Sequence, residues 1–107
     1  MTRYRQTIDD IIAAACIVTG VAPDDFLSEK QTRLTAYARQ IAGYVCRQRK
    51  YSYPEIGRAF RRDHSTIICS VKKTDAALAA KDKDVIVDVR CVSELASAFA
   101  TQRMVAC

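Results

Sequence analysis

An all-α fold, a compact domain of five to six helices containing a helix-turn-helix, is what this sequence predicts, on three observations. Apolar residues recur at helical spacing in stretch after stretch. Helix start signals, including an S-x-x-E capping box, precede those stretches. Only three glycines and two prolines interrupt 107 residues. Half of the residues are hydrophobic and 27% are charged, the balance of one soluble core, so residues 1–107 are read as a single domain.

The first helix starts near Thr7, whose hydroxyl suits an N-cap and is followed by Asp9 and Asp10 in the first turn. Ile8, Ile11, Ile12, Ala15 and Val18 then form one apolar stripe, and Gly20 ends the helix. Pro23 leads a short turn in which Phe26 and Leu27 plug the core, and residues 28 to 34 read as a polar loop. From about Thr35 to Lys50 the pattern is helical, with Ala38, Ile41, Ala42 and Val45 inward and Arg39, Arg47 and Lys50 on the opposite stripe. Ser52-Tyr53-Pro54-Glu55 is a capping box with proline in the first turn, opening a short helix that carries Ile56, Ala59 and Phe60.

Asp63 is placed as the N-cap of the next helix, roughly His64 to Ala80, whose buried side is Ile67, Val71, Thr74 and Leu78. About 100° around that helix, Thr66, Ser70 and Lys73 make a stripe of small or basic side chains that suits close approach to another molecule. The last helix, a packing helix over about 85–101, turns Val85, Val89, Val92, Ala96 and Phe99 to one side; its β-branched start is the one place where a strand competes. The short helix, turn and longer helix over about 53–80 are a helix-turn-helix, in which the second helix enters the DNA major groove with its N-terminal residues on base edges.

Charge supports that partner. Residues 30 to 73 hold eleven cations against two anions, Glu55 and Asp63, a net +9, while the other six cations and ten anions net −4, for +5 overall. Such asymmetry marks a built surface for a polyanion.

Several classes are excluded or disfavoured. The five cysteines form no C-x-x-C pair and His64 is the only histidine, so no metal is expected. Scattered odd cysteines fit free, buried thiols in a reducing compartment, with Cys107 the most exposed. Asp9 and Asp10 are wrong for a signal peptide and the uncharged run 11–22 is too short to span a bilayer, so the chain is read as complete, cytoplasmic and nucleoid-associated, with no membrane partner. Neither phosphate-loop motif can be assembled from Gly20, Gly43 and Gly57, so no nucleotide and no cofactor is expected. Nothing places a nucleophile and an orienting acid around His64, and an enzyme at His64 and Cys69 is the least favoured reading.

The stretches FLSEKQTR, ARQIAGYV, SYPEIGRAF and RRDHSTI resemble, in order and spacing, the C-terminal DNA-binding domain of the bacterial chromosomal replication initiator DnaA. The resemblance runs from about Thr7 into the last helix. It implies that Arg33 is the loop arginine that enters the minor groove, and that Arg39 and Gln40 touch the DNA backbone and base edges. It further implies that Asp63, His64, Ser65 and Thr66 read the major groove from the helix over 64–80, with Ser70 and Lys73 nearer phosphate. Pro54 matches the proline whose short helix lies against the backbone, and Arg61 and Arg62 are assigned to phosphate. Asp63 serves equally as a helix cap, and the two roles are compatible.

The chain departs from the family where two glycines ahead of R-D-H are replaced by Arg61 alone ahead of Arg62, one residue fewer, and where Ala38 stands for a common proline. It also lacks the initiator's ATPase domain, which implies a stand-alone reader that neither hydrolyses ATP nor opens an origin. The resulting expectation is a sequence-specific double-stranded DNA-binding protein that recognises an initiator-box-like site, as a replication modulator or transcriptional regulator of phage or mobile-element origin. The rival reading is a protein-interaction module that binds the host initiator or another partner through its acidic ends, with only residual DNA affinity.

Overall fold

Thr7 opens the first helix with a reciprocal cap: its Oγ1 accepts from the Asp10 N–H at 3.1 Å while the Asp10 carboxylate accepts from the Thr7 N–H at 2.9 Å. The computed structural model, which describes residues 5–106, then runs through six helices: α1 (Ile8–Thr19), α2 (Pro23–Leu27), α3 (Arg33–Gln48), α4 (Tyr53–Phe60), α5 (His64–Ala79) and α6 (Lys83–Ala106). No strand occurs among the described residues, and the β-branched run at Val85 lies inside α6. Cys107, expected to be the most exposed thiol, lies outside them.

The helix ends follow the start signals, with corrections. Gly20 closes α1 at φ 80°. The box at Ser52 forms, with the Ser52 N–H on Glu55 at 2.9 Å and the Glu55 N–H on Ser52 Oγ at 3.2 Å. Helix α3 starts two residues earlier than expected because Thr32, not a residue beside Thr35, supplies the cap: its Oγ1 accepts from the Thr35 N–H at 3.2 Å. That places Arg33 in the first helical turn rather than in the loop. Helix α6 is longer at both ends than 85–101, since Asp82 Oδ1 accepts from the N–H groups of Asp84 and Val85 at 3.1 and 3.3 Å and so caps it early.

Helices α3, α4 and α5 are each followed by a basic residue in the left-handed region where glycine is usual: Lys50 at φ 74°, Arg61 at φ 58° and Lys81 at φ 60°.

Helix α3 is the centre of the molecule and touches each of the other five. Beneath it Phe26 and Phe60 meet edge-on, centroids 5.0 Å apart, both fully buried with Ile11, Ile41, Ile56, Ile67 and Val92. Burial of that kind stabilises by roughly 1.5–3 kcal/mol per large side chain. Gly43 lets α5 lie close on α3, with Ile67 and Val71 3.8 Å from where a Cβ would stand, and Thr74 Oγ1 donates across the same seam to the Gln40 carbonyl at 3.1 Å. Helix α6 closes the other side against α1 and α3 through Val85, Val92, Ala96 and Ala100. Gln6 binds these layers together, donating to Ser93 O and Ser97 Oγ and accepting from Arg49 Nε at 3.0 Å.

Candidate nucleic-acid interface

Helix α4 positions α5. Its last turn hands over to Arg61 and Arg62, and the Arg62 N–H closes the turn on the Gly57 carbonyl at 2.8 Å. Gly57 is required there, because a Cβ would stand 2.7 Å from the Arg62 carbonyl oxygen and 3.3 Å from the His64 backbone. The turn leaves the N-terminus of α5 in solvent: Asp63, His64, Ser65 and Thr66 are all exposed. Asp63 holds the N-cap position, but its carboxylate makes no bond to the first-turn N–H expected of a cap. Instead Asp63 Oδ2 accepts from Ser65 Oγ at 2.5 Å, which holds the carboxyl below the usual carboxylate range. His64 Nδ1 lies 3.7 Å from Asp63 Oδ1.

Beside that end of α5, a concavity between α3, α5 and the turn gathers Arg39, Gln40, Arg61, Arg62, Asp63, Thr66, Ser70 and Lys73. The remaining expected residues stand outside it and exposed: Arg33 in the first turn of α3, Pro54 in the first turn of α4, and His64 and Ser65 at the tip of α5. Asp63 is the sole carboxylate of the concavity's lining.

Arg39 corrects the sequence reading most sharply. Expected on a solvent-facing stripe with Arg47 and Lys50, it is buried at 6% exposure. Four of its five N–H groups go to main-chain carbonyls: Nε to Phe26 at 2.9 Å, one terminal nitrogen to Lys30 at 2.8 Å, the other to Asp25 and Ser28 at 3.0 and 2.9 Å. Those bonds form because α2 and the following loop fold over this face of α3. Burial, and then the Arg62 charge, lower the Arg39 pKa. Arg62, assigned to phosphate, is half-buried and also donates to the Ser28 carbonyl.

Three lining residues were missed: Gln31, Ala36 and Cys69. Cys69 carried a signal, standing three residues after Thr66 on α5. Among the described residues Cys16 and Cys46 are buried thiols, and Cys69 and Cys91 are exposed. Burial raises the pKa of both buried thiols. Among the described residues no group of three or more His, Cys, Asp or Glu side chains is arranged to hold a metal ion, and no helix is long and apolar enough to cross a membrane.

A short helix, a tight turn and a second helix with a solvent-exposed N-terminus beside a basic concavity define a helix-turn-helix domain. Residues 8–74, more than half of the chain, match the family described as the bacterial dnaA protein helix-turn-helix, and the chain belongs to that family. It is 39% identical over 93 residues to the chromosomal replication initiator protein DnaA 1 of Chlamydia muridarum (strain MoPn / Nigg), an alignment covering 85% of this chain and 20% of that protein. It is 41% identical over 80 residues to the chromosomal replication initiator protein DnaA of Sphingopyxis alaskensis, covering 73% and 18%. With the protein of that name from Geobacter sp. (strain M21) it shares 50% identity over 58 residues, covering 52% and 13%. The chain thus spans about a fifth or less of the curated relatives it matches.

Proposed function

We infer that this chain binds double-stranded DNA in a sequence-specific manner at an initiator-box-like site, and that it modulates replication or transcription there. In this reading the start of α5 enters the major groove, where Asp63 accepts from a cytosine amine and His64, Ser65 and Thr66 meet neighbouring base edges. As a carboxylate, Asp63 is an acceptor at neutral pH. Arg33, exposed in the first turn of α3, enters the adjacent minor groove. Arg61, Arg62 and Lys73 neutralise phosphates along the concavity, and Pro54 sets α4 against the backbone.

One observation carries the reading: the cations of the concavity flank an α5 N-terminus whose polar side chains are free to reach another molecule. Family membership supports it, since the relatives are named as replication initiators. The test is fluorescence anisotropy on a labelled duplex carrying the initiator consensus box beside a scrambled duplex of equal composition, across a salt series. Binding in the range of about 10⁻⁸ M on the box and roughly 10⁻⁵ M on the scrambled duplex is expected. Equal, steeply salt-dependent binding to both would remove the specific site and leave only charge attraction.

A further inference from the structure

We propose that Arg39 is a positioning residue: it governs DNA recognition by shaping the loop over residues 25–30, and it does not touch the duplex. The inference rests on the DNA-binding reading above and deepens it.

Within six residues of chain, the carbonyls of Asp25, Phe26, Ser28 and Lys30 all turn toward one guanidinium. Two of them, Asp25 and Phe26, belong to the last turn of α2, and the Asp25 carbonyl accepts from the Ser28 N–H and hydroxyl as well. Arg39 gathers all four carbonyls and draws the loop onto α3. Among the described residues no carboxylate forms an ion pair with Arg39. Its buried charge is balanced by main-chain dipoles, an arrangement that specifies shape, since burying an unpaired charge is otherwise unfavourable.

The loop leads directly into the Thr32 cap and Arg33, so its path fixes where Arg33 leaves the protein. The Ser28 carbonyl also receives Arg62, from the turn that carries α5. One loop oxygen therefore joins the Arg33 side of the interface to the α5 side, and Arg39 sets their separation. Lysine cannot replace it, because a compact ammonium with three donors does not span four carbonyls arranged around a planar fork.

The experiment measures dissociation constants on the box duplex for the unaltered chain, Arg39→Lys, Arg33→Ala and the double variant. Positioning predicts that Arg39→Lys weakens binding about ten-fold alone and less than about two-fold once Arg33 is gone, because coupled residues are non-additive. Multiplicative losses in the double variant would overturn the proposal in favour of independent action by Arg39. Absence of binding by the unaltered chain would overturn the DNA-binding reading, and this inference with it. Should Arg39→Lys fail to fold, nuclear magnetic resonance on the unaltered chain decides. The Arg39 Nε–H, held on the Phe26 carbonyl, is expected to keep its exchange protection and resonance position when duplex is added, and a large shift at that proton would overturn the proposal.

Discussion

Arg39 and Arg62 donate to the same acceptor, the carbonyl oxygen of Ser28, so two like charges from α3 and from the helix-turn-helix turn meet on one loop atom. Their mutual repulsion contributes to the lowered Arg39 pKa after burial itself, and a phosphate seated over the concavity would relieve it. Arg62→Ala is therefore expected to weaken binding alike on box and scrambled duplexes. It should also reduce the slope of log affinity against log salt by about 0.9, the value of one phosphate contact. An unchanged slope in the anisotropy series would remove Arg62 from phosphate.

His64 sits at the exposed tip of α5, its Nδ1 3.7 Å from the Asp63 carboxylate. His64→Ala should narrow the ratio between box and scrambled duplexes by about 1–3 kcal/mol, the usual discrimination of a base-edge contact, with little effect on thermal stability. Equal loss on every duplex would assign it to the backbone instead.

The two helical glycines respond to alanine in opposite directions. At Gly57 a methyl meets the Arg62 carbonyl at 2.7 Å and the His64 backbone at 3.3 Å, which must move, so Gly57→Ala should cost about 1–3 kcal/mol and displace the start of α5. At Gly43 the methyl finds ordinary contact at 3.8 Å with Ile67 and Val71, so Gly43→Ala should stabilise by roughly 0.5–1 kcal/mol through helix propensity. Urea denaturation of both variants checks the signs.

Arg61 keeps a cation at φ 58°, a conformation that favours glycine. Arg61→Gly should raise the unfolding midpoint, by up to about 1 kcal/mol in stability, and weaken DNA binding at the same time. A variant that loses both would show that the side chain supports the fold.

Acid should expose the caps. The Ser52 backbone N–H, and then its hydroxyl, lower the Glu55 pKa, and Ser65 lowers that of Asp63. A depressed folded-state value means stability that is present above the ordinary carboxylate pKa and lost as pH falls through the folded one. The melting temperature should hold from pH 7 to about 5 and drop below about 4.5. Glu55→Gln, which accepts the same bond without titrating, should flatten that drop, as melting curves across pH would show.

Much of this architecture was legible because local rules sufficed. The stripe from Ile8 to Val18, the box at Ser52 and the buried side of α5 at Ile67 and Thr74 depend on spacing and cap chemistry within a few residues. Arg39 was misread for the opposite reason. Nothing on α3 signals that four carbonyls from residues 25–30 will fold over its outer face, since the demand for a donor arises from the path of another segment. Asp63 was right as a position and wrong as a bond, because a carboxylate with Ser65 two residues on has a second partner within reach. The start of α3 moved because Thr32 and Thr35 are equally suited to capping and only the loop decides between them. Cys69 was set among buried thiols although its place beside Ser70 puts it on the outward side of α5.

The family match ends at residue 74, whereas the inner face of α1 is completed by α6. The α1–α6 contact joins elements far apart in sequence and closes a long loop, whereas α4 and α5 are neighbours in sequence and pair across a short turn.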